Sequence, residues 1–175
     1  MHEQDLIQQA QQGDAQAFAQ LLQAHYDTMF RFAWHWCGNR ADAEDIVQQA
    51  CLKLARSIDQ FRFESAFQSW LYRLVINCAK DWHKSQSRHQ SPESATTTEN
   101  AADHHQPDNQ IFLQQLLRYL DTLADGMKET ALLVHALGCS HGETATILGV
   151  KESTISWRIH EIRKQLQSRF GQEAL

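Results

Sequence analysis

Between Phe61 and Trp82 the chain reads FRFESAFQSWLYRLVINCAKDW, where aromatic rings are interleaved with arginine, lysine and asparagine. Residues of those types can hold a nucleic acid. A ring stacks on an unpaired base for about 1–3 kcal/mol, an arginine or lysine holds a phosphate, and an asparagine reads a base edge. The same rings can equally form the apolar stripe of a helix, and Phe67, Trp70, Leu71, Leu74, Val75, Cys78 and Trp82 recur at helical spacing. Those residues are assigned to a core. Phe61, Arg62 and Phe63 in the preceding break, and Arg73, Asn77 and Lys80 beside the stripe, are the candidates for a nucleic acid. The pattern alone leaves that reading and a solvated edge equally open.

A second set lies in GETATILGVKESTISWRIHEIRKQL. Ala145, Ile147 and Leu148 make a short apolar helix, closed at Gly149, a residue suited to the left-handed backbone of a turn. Ile155, Ile159, Ile162 and Leu166 then repeat at helical spacing, with Ser153, Thr154, Ser156, Arg158, Arg163 and Lys164 off that seam. Two short helices joined through a glycine turn are the pattern of a helix-turn-helix, although a bare helical hairpin shares it. The hydroxyl-rich start of the second helix suits an end that enters a groove and offers donors to bases and phosphates.

Other chemistries find little support. Asp42 and Asp45 sit at a helix start, where carboxylates suit exposed amides, with no nucleophile or ligand cluster beside them. His89, His104 and His105 lack a fixed third ligand for a metal, so no metal site, cofactor or enzymatic activity is expected. Cys37, Cys51, Cys78 and Cys139 lie far apart within apolar patterns, and are expected to be core thiols in a reducing, cytoplasmic compartment. The polar start MHEQDLIQQAQQGD does not read as a signal peptide, and no apolar run approaches a membrane span.

The elements that must position these residues are helices. Asp14 can cap a run with Phe18, Leu21, Leu22, Met29, Phe30, Ala33 and Cys37 on one face, and GNR at 38–40 ends it. A second helix starts at Asp42 and carries Ile46, Val47, Ala50, Cys51, Leu54, Ala55 and Ile58. DQFRFE breaks the pattern, and Ser65 with Gln68 fits a capping box for a third helix. From Ser85 to Asn109 periodicity gives way to Ser, Thr, Gln, His, acid and two prolines, which predicts a flexible linker. Further helices are expected over 111–123 and 128–137. The fold class is therefore all-α: two small helical domains, 1–84 and 110–175, joined by a flexible acidic linker at 85–109, the second ending in a helix-turn-helix.

Charge fits this division. The whole chain has a formal charge of −5, yet residues 151–169 carry five basic groups against two acidic, and the 85–109 segment one against four. Basicity is local, so affinity for DNA by the chain alone should be modest.

DAEDIVQQACLKLARSIDQFRFESAFQSWLYRLVINCAKDW resembles region 2 of an extracytoplasmic-function sigma factor of the sigma-70 family, and GETATILGVKESTISWRIHEIRKQL resembles region 4. The resemblance covers about Ala17 to Lys84 and Ile111 to Phe170. It implies a non-catalytic protein that directs bacterial core RNA polymerase to promoters and helps open the −10 element. Asp45, Ile46, Gln48 and Gln49 would meet the clamp of the polymerase's largest subunit. Phe61, Arg62, Phe63 and Ser65 would capture a −10 base, with Arg73, Asn77 and Lys80 along the melting duplex. Ser153, Thr154, Ser156, Trp157, Arg158, His160 and Lys164 would face the −35 element, with another surface on the flap of the second large subunit. The linker would thread toward the polymerase active site. An anti-sigma factor, commonly membrane-associated in the family, is the further implied partner, with no direct membrane insertion of this chain.

Several positions depart from the family pattern. Gln49 stands where relatives often have Glu, Phe63 where their loop usually has Gly, and Glu161 where they often have Arg. Ser156 and Trp157 replace a basic residue and a serine, and LADGMKE replaces the usual proline-glutamate start. The alternatives weighed beside the sigma reading are a conventional helix-turn-helix regulator that binds duplex DNA without polymerase, and an adaptor that uses these surfaces for protein contact alone.

Overall fold

The computed structural model describes residues 2–89 and 107–171, and all regular structure within them is helical. The first cluster contains α1 (Glu3–Gln11), α2 (Ala15–Cys37), α3 (Arg40–Ser57), a single 3-10 turn (Ile58–Gln60) and α4 (Phe67–His89). The second contains α5 (Pro107–Asp121), α6 (Met127–Ala131), a π-helical turn (Leu132–Ala136), α7 (His141–Leu148) and α8 (Glu152–Phe170). This is the all-α organisation in two groups of helices that the periodicity predicts.

Helix ends follow local chemistry. The Asp14 carboxylate accepts from the amides of Gln16 at 2.8 Å and Ala17 at 3.1 Å, satisfying donors that a helix start leaves open. Gly38 closes α2 with φ 75°, and Asn39 caps α3 by accepting from the Asp42 amide at 2.9 Å. Ser140 and Glu143 form a reciprocal capping box on α7, and Gly149 ends that helix at φ 66°.

Three boundaries differ from expectation. α1 was not foreseen, because only Leu6, Ile7 and Ala10 interrupt its polar run; Ile7 and Ala10 are nevertheless buried. At the start of α4 the Ala66 carbonyl accepts from the amides of Ser69 and Trp70, so Ala66 holds the capping position expected of Ser65. α4 also continues to His89 and α5 begins at Pro107, a residue suited to a first helical turn. Both ends of the expected 85–109 linker are thus helical. Residues 90–106, including His104 and His105, lie outside the described residues.

One apolar core runs through both clusters. It includes Phe32, Ile46, Leu54, Leu71 and Val75 from the first, and Leu133, Ile147 and Ile162 from the second. Each such side chain contributes about 1.5–3 kcal/mol on burial. A satellite of Ala145, Ile155 and Ile159 joins α7 to α8. Two residues expected at interfaces belong to the core instead. Ile46 is wholly buried, since it shares the inward face of α3 with Val47 and Ala50, and Phe61 turns inward onto α4. Of the four cysteines, expected as core thiols, only Cys78 is buried; Cys37, Cys51 and Cys139 are half-buried, and none is in a disulfide.

Candidate nucleic-acid interface

Residues 61–66 form a short irregular connection whose shape is fixed from beneath. Phe61 packs its ring against Phe67 at 5.2 Å and Trp70 at 5.6 Å between centroids. From α1, the Gln11 side-chain amide donates to the Ile58 carbonyl at 2.9 Å and the Phe61 carbonyl at 2.8 Å. The next two residues leave the core: Arg62 is exposed, and Phe63 is 39% exposed with its ring 4.9 Å from Phe61. Phe63 has φ 60°, and among the described residues it is the one non-glycine residue with positive φ. A side chain in that region crowds the following carbonyl, at a cost of about 1–2 kcal/mol.

On α4 the i, i+4, i+7 spacing sets Arg73, Asn77 and Lys80 along one face, contiguous with this connection. Arg73 and Asn77 are exposed, and the Arg73 guanidinium donates to Ser65 Oγ at 3.4 Å. Lys80 is half-buried and already partnered. Its ammonium lies 2.8 Å from Asp125 Oδ1 and also meets Glu129 Oε1, both from the second cluster. Burial works against its charge, but the two carboxylates outweigh that and hold its pKa above the ordinary lysine value.

α8 shows a distinct exposed row. Ser153, Ser156, Trp157, His160 and Lys164 face outward, with Trp157 57% exposed, while Ile155, Ile159 and Ile162 face α7 and the core. Thr154 is half-buried. Ser156 Oγ is 3.0 Å from His141 Nδ1 at the start of α7. Arg158 does not join the row: its guanidinium is tucked against the Gly126 carbonyl at 3.4 Å and Thr130 Oγ1 at 3.5 Å. Glu161 is half-buried and accepts from the Gln165 amide at 2.8 Å.

The sigma-70 region 2 family matches residues 21–89. A sigma-E factor of Haemophilus influenzae, an extracytoplasmic-function RNA polymerase sigma factor, is 31% identical across 95% of this chain and 94% of its own length. This chain is an extracytoplasmic-function sigma factor of the sigma-70 family. The corresponding sigma-E factor of Escherichia coli strain K12 is 27% identical over 95% of this chain and 93% of its own. Among solved structures, CnrH in complex with the cytosolic domain of CnrY shares the fold, at 22% identity and a TM-score of 0.71 over 98% of this chain and 99% of that one. RpoE from Bartonella quintana, solved with the anti-sigma factor NepR, superposes at a TM-score of 0.64 with 25% identity, over 89% and 98% of the two chains. As a member of this family, the protein directs RNA polymerase to promoters.

In this sigma factor the face opposite the core of α3 presents Asp45, Gln48 and Gln49, all exposed. Asp45 and Gln49 border an open groove of about 700 Å³ between α3 and α4, with Leu52, Lys53, Asp81 and Trp82 also on its walls. Leu52 is 48% exposed and was not singled out in the sequence, because it falls out of phase with the buried repeat. That phase error was the available signal: an apolar residue on the solvent face of an otherwise regular helix. Gln11 was the other residue missed, and its long-range bonds to Ile58 and Phe61 leave no trace in local pattern.

Proposed function

We propose that this sigma factor divides promoter recognition between its two helical clusters, with residues 1–84 on core polymerase and the −10 element and 110–175 on the −35 element. The reading rests chiefly on one observation. Arg62 and Phe63 are exposed from a connection pinned at Gln11, Phe67 and Trp70, and stand beside the exposed Arg73 and Asn77. A ring on a pre-set backbone can receive an unstacked base with little further ordering, and neighbouring cations can hold the displaced strand. Ser65 and Lys80 complete that surface, and Phe61 acts from beneath it as the support of the Phe63 ring.

α7, Gly149 and α8 act as a helix-turn-helix whose exposed Ser153, Ser156, Trp157, His160 and Lys164 meet the −35 element in the major groove, joined by Thr154 and Arg158. Asp45, Gln48 and Gln49 carry the polymerase clamp contact, with Ile46 beneath them, while the second cluster meets the flap. Two modest DNA contacts suffice because polymerase binding makes each one local to the other. The Bartonella RpoE was solved with the anti-sigma factor NepR, which supports an anti-sigma factor for this chain too. The site of action is cytoplasmic, where core polymerase is.

Run-off transcription on a genomic fragment library, with core polymerase and with or without the protein, tests the reading. New starts that need the protein, sharing two upstream elements, are the expected result. Tight binding to duplex DNA by the protein alone, with no new starts, would favour a conventional regulator and refute it.

A further inference from the structure

The row that α8 turns to solvent is narrow. At about 100° per residue, Ser153, Trp157, His160 and Lys164 fall within roughly 60° of arc. All four are exposed. In the first half of the helix the side chains beside them are committed elsewhere. Ser156 Oγ is held by His141 Nδ1 at 3.0 Å, Arg158 is bonded to Gly126 and Thr130, and Ile155 and Ile159 are buried. Trp157 therefore dominates the leading half of the row, with only a short hydroxyl side chain, Ser153, one turn before it.

The fold makes no use of that ring. Tyr26, Trp34, Phe63 and Phe112, the other exposed aromatic side chains among the described residues, each rest against a neighbouring ring: Tyr26 and Trp34 on Phe30, Phe63 on Phe61, Phe112 on Phe170. Trp157 is 57% exposed, more than any of these, and among the described residues it packs on no other ring and its indole N–H bonds no acceptor. Its apolar face and its one donor are both left for a partner.

The chemistry of that face is selective. An indole offers a flat apolar surface and a single N–H donor, with no acceptor. In the major groove, thymine presents a C5-methyl group beside the O4 acceptor, which matches both features. Guanine presents two acceptors and no apolar group, while adenine and cytosine present amino donors that an indole cannot accept.

We infer that Trp157 is a specificity-determining residue of the −35 contact, selecting thymine by packing its ring on the C5-methyl group. The inference rests on the reading of α8 as the −35 helix and adds which base it selects. The indole N–H is the matching donor for O4, and Lys164, two turns further along the row, is free for phosphate.

The test uses holoenzyme assembled from core polymerase and the full chain, as wild type, Trp157→Phe or Trp157→Ser. Because the ring is exposed, both variants should keep the wild-type circular dichroism spectrum and urea midpoint. Promoters with a randomised −35 element are transcribed, and base preferences are read from the products. The wild type should select thymine at one or more positions. Trp157→Phe, which keeps a ring, should retain that preference, and Trp157→Ser should lose it while the rest of the −35 element persists. On the best promoter, deoxyuridine then replaces the selected thymine, removing the methyl group and leaving O4. Promoter binding should weaken about fourfold for wild type and Trp157→Phe, the value of one buried methylene-sized group, and stay unchanged for Trp157→Ser. A −35 element without selected thymine, a thymine preference that survives Trp157→Ser, or an equal deoxyuridine effect in wild type and Trp157→Ser would each overturn the inference. Failure of the underlying reading looks different: the randomised positions would then carry no base preference in any of the three proteins.

Discussion

Phe63 offers a sign test of the backbone at the proposed base-capture site. Its φ of 60° places a bulky residue in the left-handed region, which favours glycine. Phe63→Ala and Phe63→Gly both remove the ring and its contact with Phe61, so that loss cancels between them. They differ in the backbone. Glycine relieves a crowding cost of about 1–2 kcal/mol that alanine retains. Against this, glycine gives the unfolded chain more freedom, a penalty of about 0.5–1 kcal/mol. Phe63→Gly should therefore be the more stable by about 0.5–1 kcal/mol, whereas at an ordinary extended or helical position alanine would lead by a similar margin. Urea titration followed by circular dichroism should show the glycine midpoint higher by roughly 0.2–0.5 M. A midpoint higher for Phe63→Ala would refute the left-handed backbone.

Replacing Gln11 with Ala removes two bonds to the Ile58 and Phe61 carbonyls and should cost about 1–2 kcal/mol in a urea melt, with faster amide exchange confined to residues 58–63. Leu52→Asp should leave the melting curve unchanged and weaken association with core polymerase at least about tenfold, as expected for an exposed apolar anchor in the α3–α4 groove. Burial pushes the Cys37 thiol up to about 11, so at pH 8 its alkylation by iodoacetamide should run roughly a hundredfold slower than that of an unperturbed thiol. The Lys80 partner holds the Asp125 carboxyl below its ordinary value of 3.8, so the pair contributes stability above that pH and loses its contribution as pH falls through the lowered value. The difference in urea stability between wild type and Asp125→Asn should be constant from pH 7 to about 5 and vanish in stronger acid.

The residues legible in the sequence are those whose signal is local. Asp14, Gly38 and Gly149 announce helix ends because their side chains, or lack of one, act on amides and carbonyls within a few positions. The exposed row of α8 follows from the isoleucine repeat, and Arg62, Phe63, Arg73 and Asn77 stand exposed where the break and the α4 stripe leave them. What was not legible depends on distant chain. α1 carries too few apolar residues to show a face, and forms because Ile7 and Ala10 find the core. Ile46 and Phe61 have types suited to either an interface or a core, and only tertiary packing sends them inward. Lys80 looks like any phosphate-binding lysine until Asp125, 45 residues later, arrives beside it.

The π-helical turn at Leu132–Ala136 has a consequence for how this protein can vary in length. The Leu137 amide reaches back five residues to the Leu132 carbonyl rather than four, so the turn holds one residue more than an α-helical path would. Elsewhere in these helices, deleting a residue would rotate everything downstream by about 100° and turn a buried face to solvent. Here the exposed His135 could be lost and the turn close as plain α-helix, with α7 and α8 keeping their aim. This turn is the natural place for lineages, or protein engineers, to add or remove a single residue ahead of α7 and α8 without re-addressing the promoter.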